Sequence, residues 1–288
     1  MRSWLLTGLL LVSGVVSAAN DRLMAWEVET PGAKVWLLGS MHLARADIYP
    51  LRKELLEAFE QAEALVVEVD IGGEAQARIQ ARMLEMGTYP PGRSIRDELS
   101  AETWSLLETQ IEQTGLPLFM MERFKPGLLV TTIATMQMMQ LGLNPQYGID
   151  QYFLNLARDR KPILELESVE QQLELLLGFP HSDLLVRQSL YQLHQLDELM
   201  EPLIDSWRRG DADGLARLVL EDELARHPEF RPLQERMFDQ RNHAMTDRIL
   251  SLQRQGGSYF VVVGAGHLVG KQGIVSLLRQ RGQRPRQM

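Results

Sequence analysis

The chain has 288 residues, 45% of them hydrophobic, with 30 Lys and Arg against 38 Asp and Glu for a formal net charge of −8. That length buries a real core in one large domain or two small ones, and the acidic balance argues against a general nucleic-acid or acidic-membrane binder. There is no cysteine, which excludes disulfides, a thiolate nucleophile and Cys metal ligands, so any metal must be held by His or by oxygen donors.

The first twenty residues read MRSWLLTGLLLVSGVVSAAN. One arginine, an apolar run and the small residues Val16-Ser17-Ala18 form a secretory signal pattern. Residues 1–18 are therefore expected to be a signal peptide and 19–288 a single mature domain, exported to the periplasm or secreted. A retained N-terminal anchor is the alternative. No later segment reads as a membrane span. The uncharged stretch from Pro126 to Ile149 is interrupted by Thr131, Thr132, Thr135, Gln137 and Gln140, and reads as a buried helix.

Residues 23–28 and 34–39 read as two strands around the turn signal Pro31-Gly32, a hairpin. A helix follows, with Ile48, Leu51, Leu55, Ala58, Phe59 and Ala62 on one face. A short buried strand is expected at 64–70, then mostly helix to 158, a strand at 161–167, and helices again to about 255. The last strand is 259–264 and the last helix about 271–281. This order predicts an α/β fold: a mixed sheet built from strands of both chain ends, with long helical insertions.

The two end strands share a pattern. Gly39-Ser40-Met41-His42 follows one, and Gly264-Ala265-Gly266-His267 follows the other. Glycine at a strand end permits a sharp bend or close backbone approach. The histidine then projects where α/β proteins place their sites. A nucleotide-binding reading of GAGHLVG fails, because Val269 stands where the third glycine belongs and no further strand follows. A lone histidine after a strand usually packs or caps. Two with one layout at opposite chain ends raise the functional reading to even terms.

WLLGSMHLA (36–44), LVVEVD (65–70), YGIDQYF (147–153), KPILELESVEQQ (161–172), ERMFDQRNHAM (235–245) and VVVGAGHLVG (261–270) together resemble the TraB/GumN group of proteins. This group includes the Tiki proteases of animals and is similar to the erythromycin-esterase and ChaN-like folds. The resemblance spans nearly the whole mature chain. It implies paired β/α halves around one cleft and a metal-dependent peptidase.

If His42 and His267 converge, they supply half a metal site. A third ligand must be a carboxylate, and Glu68 and Glu167 are the candidates. Such a set suits Mn, Co, Fe or Zn, whose bound water attacks a carbonyl while a second carboxylate acts as acid and base. Glu68 sits among valines that imply burial. Glu167 alternates with Leu166 and on its own reads as solvent-exposed; only the resemblance favours it. The same holds for Arg241 and Asn242, which would otherwise be solvated helix residues: the resemblance implies an oxyanion or carboxylate partner and an orienting amide. Asp150 reads as a plain helix N-cap and Tyr147 as a cleft residue; both are substrate-binding candidates. Met136, Met138 and Met139, with Leu128, Leu129 and Ile133, read as core packing, or alternatively as a peptide- or lipid-facing groove.

The expected function is an exported metal-dependent hydrolase acting on peptides or proteins. The alternatives are peptide-signal or haem binding without turnover, and a metal-free esterase-like hydrolase.

Overall fold

The apolar runs at the two ends of the chain pair with each other. In the computed structural model, which describes residues 22–288, β1 (Ala25–Thr30) and β2 (Ala33–Ser40) form the expected antiparallel hairpin. β2 then runs parallel to β5 (Gly257–Gly264) along its whole length. β5 is flanked on its other side by β3 (Ala64–Val67), and β3 by β4 (Ile163–Glu165), both parallel. β6 (Arg286–Gln287) closes the far edge against β1, antiparallel. The sheet order is β4-β3-β5-β2-β1-β6. The expected mixed sheet from both chain ends is thus observed. The expected signal segment, 1–18, lies outside the described residues. Among those residues no helix is long and apolar enough to cross a membrane.

β3 and β4 are shorter than their apolar runs. β3 ends at Val67 and β4 at Glu165, so Glu68 and Glu167 stand just past the strand ends. β6 was not expected, because two paired residues carry no apolar pattern.

The central strands are buried on both faces, which is why they read as continuous Val/Leu runs. Phe260 of β5 meets Phe59 of helix Lys53–Gln61 and Phe153 of helix Ile149–Ala157, with ring centroids 5.7 and 4.8 Å away. This aromatic contact fixes helix Ile149–Ala157 on the sheet with its N-terminus at the strand ends.

A second apolar cluster lies apart from the sheet. Trp104, Leu107 and Ile111 of helix Ala101–Thr114 pack on Leu129 and Ile133 of helix Pro126–Gln140 and on Val186 and Leu190 of helix Ser182–His194. The helical insertions therefore form a cap with its own core. Helix Pro126–Gln140 is apolar on every side because it serves both the cap and a cavity. Leu129 and Ile133 are fully buried, while Met138 lines a groove and Met139 is 47% exposed. The core-packing reading holds for Leu129 and Ile133, while Met138 faces the groove.

Candidate active site

β2 and β5 deliver the two G-x-x-H segments side by side. Their register pairs Gly39 with Val263 and Ser40 with Gly264. Glycine is needed for this approach. A Cβ on Gly39 would stand 2.9 Å from Met24 Cγ and 3.0 Å from Ala265 Cα, so both neighbours would have to shift to admit a side chain. The Gly39 carbonyl accepts a hydrogen bond from the buried Trp207 indole at 2.6 Å, which pins the strand end. At Gly264 the space above Cα is the site itself: a Cβ there would lie 3.4 Å from Glu68 Oε1, 3.5 Å from His267 Cδ2 and 3.9 Å from His42 Nε2. Residues 42, 68 and 267 thus converge on one glycine.

Each imidazole is held from behind. His42 Nδ1 lies 2.7 Å from Asp150 Oδ2. Asp150 does not cap its helix; Gly148 holds that place, and Asp150 sits in the first turn with its carboxylate turned to His42. His267 Nδ1 lies 2.6 Å from Asn242 Oδ1. The Asn242 amide donates to the Gln272 carbonyl at 2.9 Å. That bond leaves Asn242 Oδ1 as acceptor and puts the His267 proton on Nδ1.

Between them stands Arg241, from the first turn of helix Gln240–Gln255. Its Nη2 donates to Glu68 Oε2 and Glu167 Oε2, both at 2.6 Å, and its Nε donates to Glu167 Oε1 at 2.8 Å. Its Nη1 donates to the Met237 carbonyl and to His267 Nε2, each at 3.1 Å. Met237 belongs to a π-helical turn, Glu235–Asp239, a distortion often found at functional sites. Glu68 Oε1 also accepts the Gly264 amide at 2.7 Å. Gln172 donates to Glu167 at 3.0 Å and to Glu68 at 3.3 Å.

These contacts shift the two histidines in opposite directions. Burial works against the charge of His42, but the hydrogen bond and charge of Asp150, helped by Glu68, push its pKa up to about 9. Its side chain remains 60% accessible, so cleft water relieves part of that opposition and Asp150 dominates. His267 is buried. Desolvation outweighs Glu68, Arg241 adds to it, and the pKa falls to about 4. At neutral pH His42 is an imidazolium and His267 a neutral ring. Burial also opposes the charge of Glu68, yet His267 when protonated, His42, Arg241 and the Gly264 amide hold it down to about 2. It is a carboxylate throughout the working range.

The cluster forms the floor of a cavity of about 370 Å³, walled by Val67, Ile79, Met83, Thr131, Leu173 and Leu176 among others. Two buried atoms in its lining, Ser40 Oγ and Asp150 Oδ1, have no hydrogen-bond partner. Such atoms in a native site call for a ligand, ion or water.

The sequence-derived residues meet here with one exception. His42, Glu68, Asp150 and Arg241 line the cavity; Glu167, Asn242 and His267 stand directly behind them. Tyr147 is outside that lining, with its ring 6.5 Å from the Tyr49 ring and its carbonyl accepting the Tyr49 hydroxyl. Sequence reasoning did not single out Gln172 or Gln272. Gln172 lay inside the quoted segment 161–172; Gln272 contributes only a backbone carbonyl, which no side-chain pattern reveals.

The TraB/PrgY/gumN family matches residues 24–287, nearly all of the described chain. The chain belongs to this family. Two relatives cover most of it: the uncharacterized protein YbaP of Escherichia coli (strain K12), 26% identical over 258 residues, 88% of this chain and 92% of YbaP, and an uncharacterized protein of Treponema pallidum (strain Nichols), 24% identical over 274 residues, 90% of this chain and 80% of that protein. No solved structure matches the chain. The family match takes in both G-x-x-H segments, Glu68, Glu167 and Arg241 within one span.

Proposed function

We propose that this TraB/PrgY/gumN protein is an exported hydrolase of peptide bonds, with a divalent ion as the cofactor its paired imidazoles hold. The observation that carries the reading is the backing of each ring. Asp150 and Asn242 fix both Nδ1 atoms and leave both Nε2 atoms facing the site, that of His267 against Arg241, and the Glu68 carboxylate lies at the same glycine. Ligand histidines are typically anchored in this way through their distal nitrogen. Two imidazoles and a carboxylate suit Mn, Co, Fe or Zn in donor type, and the orphaned Asp150 Oδ1 and Ser40 Oγ leave polar capacity beside them. Among the described residues no three His, Asp or Glu side chains surround one point as a ready metal site. Arg241 fills the centre instead, on His267 Nε2 and Glu68. Ion entry on this reading requires Arg241 to give up His267 and His42 to give up its proton.

When bound, the ion would polarise a carbonyl and lower the pKa of water. The chain's own residues do the rest. Arg241 lines the cavity with all five of its N–H donors engaged, and the Nη1 donor it would free on giving up His267 is the one available to an oxyanion. Glu167 and Gln172 position it, which replaces the ligand role expected for Glu167. Asn242, held by Gln272, fixes the His267 tautomer. Asp150 holds the His42 Nδ1 proton, which leaves Nε2 for the ion; without an ion the same contact keeps the ring an imidazolium, an acid for the metal-free reading.

A second reading is metal-free hydrolysis, favoured by the completeness of the Arg241 network without an ion. The test is mass spectrometry of a peptide mixture incubated with wild type and Glu68→Gln, with and without chelator, alongside elemental analysis of the purified protein. Cleavage by wild type that chelator abolishes supports the metal reading. Cleavage unchanged by chelator moves the assignment to the metal-free reading, and intact peptides under every condition remove both.

A further inference from the structure

The cavity over the cluster continues into a second one. A groove of about 610 Å³ shares His42, Thr131, Leu175, Leu176 and Met237 with it, and runs on between helices Pro126–Gln140 and Ser182–His194 of the cap. Ala134, Met138, Phe179, Leu193, Leu196 and Phe238 give it apolar walls. The carboxylate in its lining is Glu223, in helix Asp222–Arg226, which follows the π-helical turn Arg217–Glu221. Glu223 Oε2 accepts the side-chain amides of Gln188 at 3.2 Å and Gln192 at 2.8 Å. Oε1 is buried and has no partner, and no cationic side chain among the described residues pairs with this carboxylate. An unpartnered carboxylate oxygen beside apolar walls is costly unless a donor arrives to meet it.

We propose that this groove is the substrate-binding arm of the site. It takes an extended peptide segment with apolar side chains and anchors the free amino end at Glu223. The proposal deepens the hydrolase reading and rests on it for the position of the scissile bond. Apolar residues fill the walls, and the ammonium supplies the donor that Glu223 Oε1 lacks. A charge-assisted hydrogen bond at that point selects a charged amino end over a blocked one. A fatty acyl chain would fit the walls and leave Oε1 unpaired, and its own carboxylate would meet Glu223 with like charge.

Titration calorimetry of the full mature chain tests this with three defined probes: Leu-Ala-Leu-Ala-Leu-Ala with a free amino end, the same peptide N-acetylated, and dodecanoate. Each is measured on wild type and on Glu223→Gln, with melting temperature confirming that the variant is folded and mass spectrometry following the peptide. Acetylation is expected to weaken binding to wild type by about tenfold, the scale of one hydrogen bond to a charged group. It should make no difference on Glu223→Gln. Equal binding of the free and acetylated peptides to wild type overturns the proposal, as does dodecanoate binding more tightly than the free-amine peptide. Amine-dependent binding of a peptide that is never cleaved supports the groove assignment and removes the hydrolase reading. Cleavage without amine dependence does the reverse.

Discussion

At the end of β2, His42 keeps 60% of its side chain accessible and leans on a carboxylate; at the end of β5, His267 is 6% accessible and leans on an amide. The same four-residue pattern on adjacent parallel strands thus delivers two rings of opposite charge state. The strand-end glycine sets where each ring goes, and the residue behind Nδ1, with burial, sets what it does. Asp150 makes His42 a proton carrier at neutral pH. Burial makes His267 neutral, and Asn242 fixes its tautomer so that Nε2 is the acceptor met by Arg241.

Turnover is where breaking the pair has its largest effect. His42→Ala and His267→Ala are each expected to lower peptide turnover by about a thousandfold, the scale of a positioned acid, base or ligand. The double variant should be little worse than either single one, because groups acting as a unit are non-additive. Steady-state kinetics on the three variants checks this; additive losses would show that the rings act separately.

Removing the cation between the rings is expected to cost stability. Arg241→Met leaves Glu68 and Glu167, both nearly buried, without their charge partner. Breaking a buried ion pair in this way costs about 3–5 kcal/mol, read from chemical denaturation. A loss under 1 kcal/mol would mean that water already screens the cluster.

The pH dependence of stability separates the rings by sign. His267 has its folded pKa lowered from 6.5 to about 4. The unfolded chain therefore takes up a proton before the folded one, and stability falls as pH drops from 6.5 towards 4, by about 3 kcal/mol for a shift of this size. His267→Gln should remove that slope. The folded pKa of His42 is raised to about 9, so its contribution is fully present below 6.5 and is lost as pH rises through 9. Because the ring is largely accessible, this limb is shallow, and Asp150→Asn should erase it.

Much of this arrangement was legible in the sequence. The mixed sheet followed from five apolar runs, and the paired glycine-histidine pattern pointed to one place because parallel neighbours end together. What stayed hidden was side-chain direction. Asp150 in a helix's first turn is indistinguishable by pattern from an N-cap, yet here the capping place falls to Gly148 and the carboxylate turns to His42. Glu165 and Glu167 stand at alternate positions, which by period alone puts both on one face. The strand ends between them, so Glu165 accepts the Asp70 amide at the surface while Glu167 turns inward to Arg241. The second apolar cluster was also invisible as a unit, because its helices come from separate parts of the chain and meet only in three dimensions.

The difference between the two rings is measured most directly by NMR titration of the imidazole nitrogens in ¹⁵N-histidine-labelled protein, with His42→Ala and His267→Ala assigning the signals. The account predicts that His42 is protonated at pH 7 and titrates near 9. It predicts that His267 stays neutral, with its proton on Nδ1, until the pH approaches 4. Two rings titrating together near 6.5 would contradict it, and the matched motifs would then carry no division of labour.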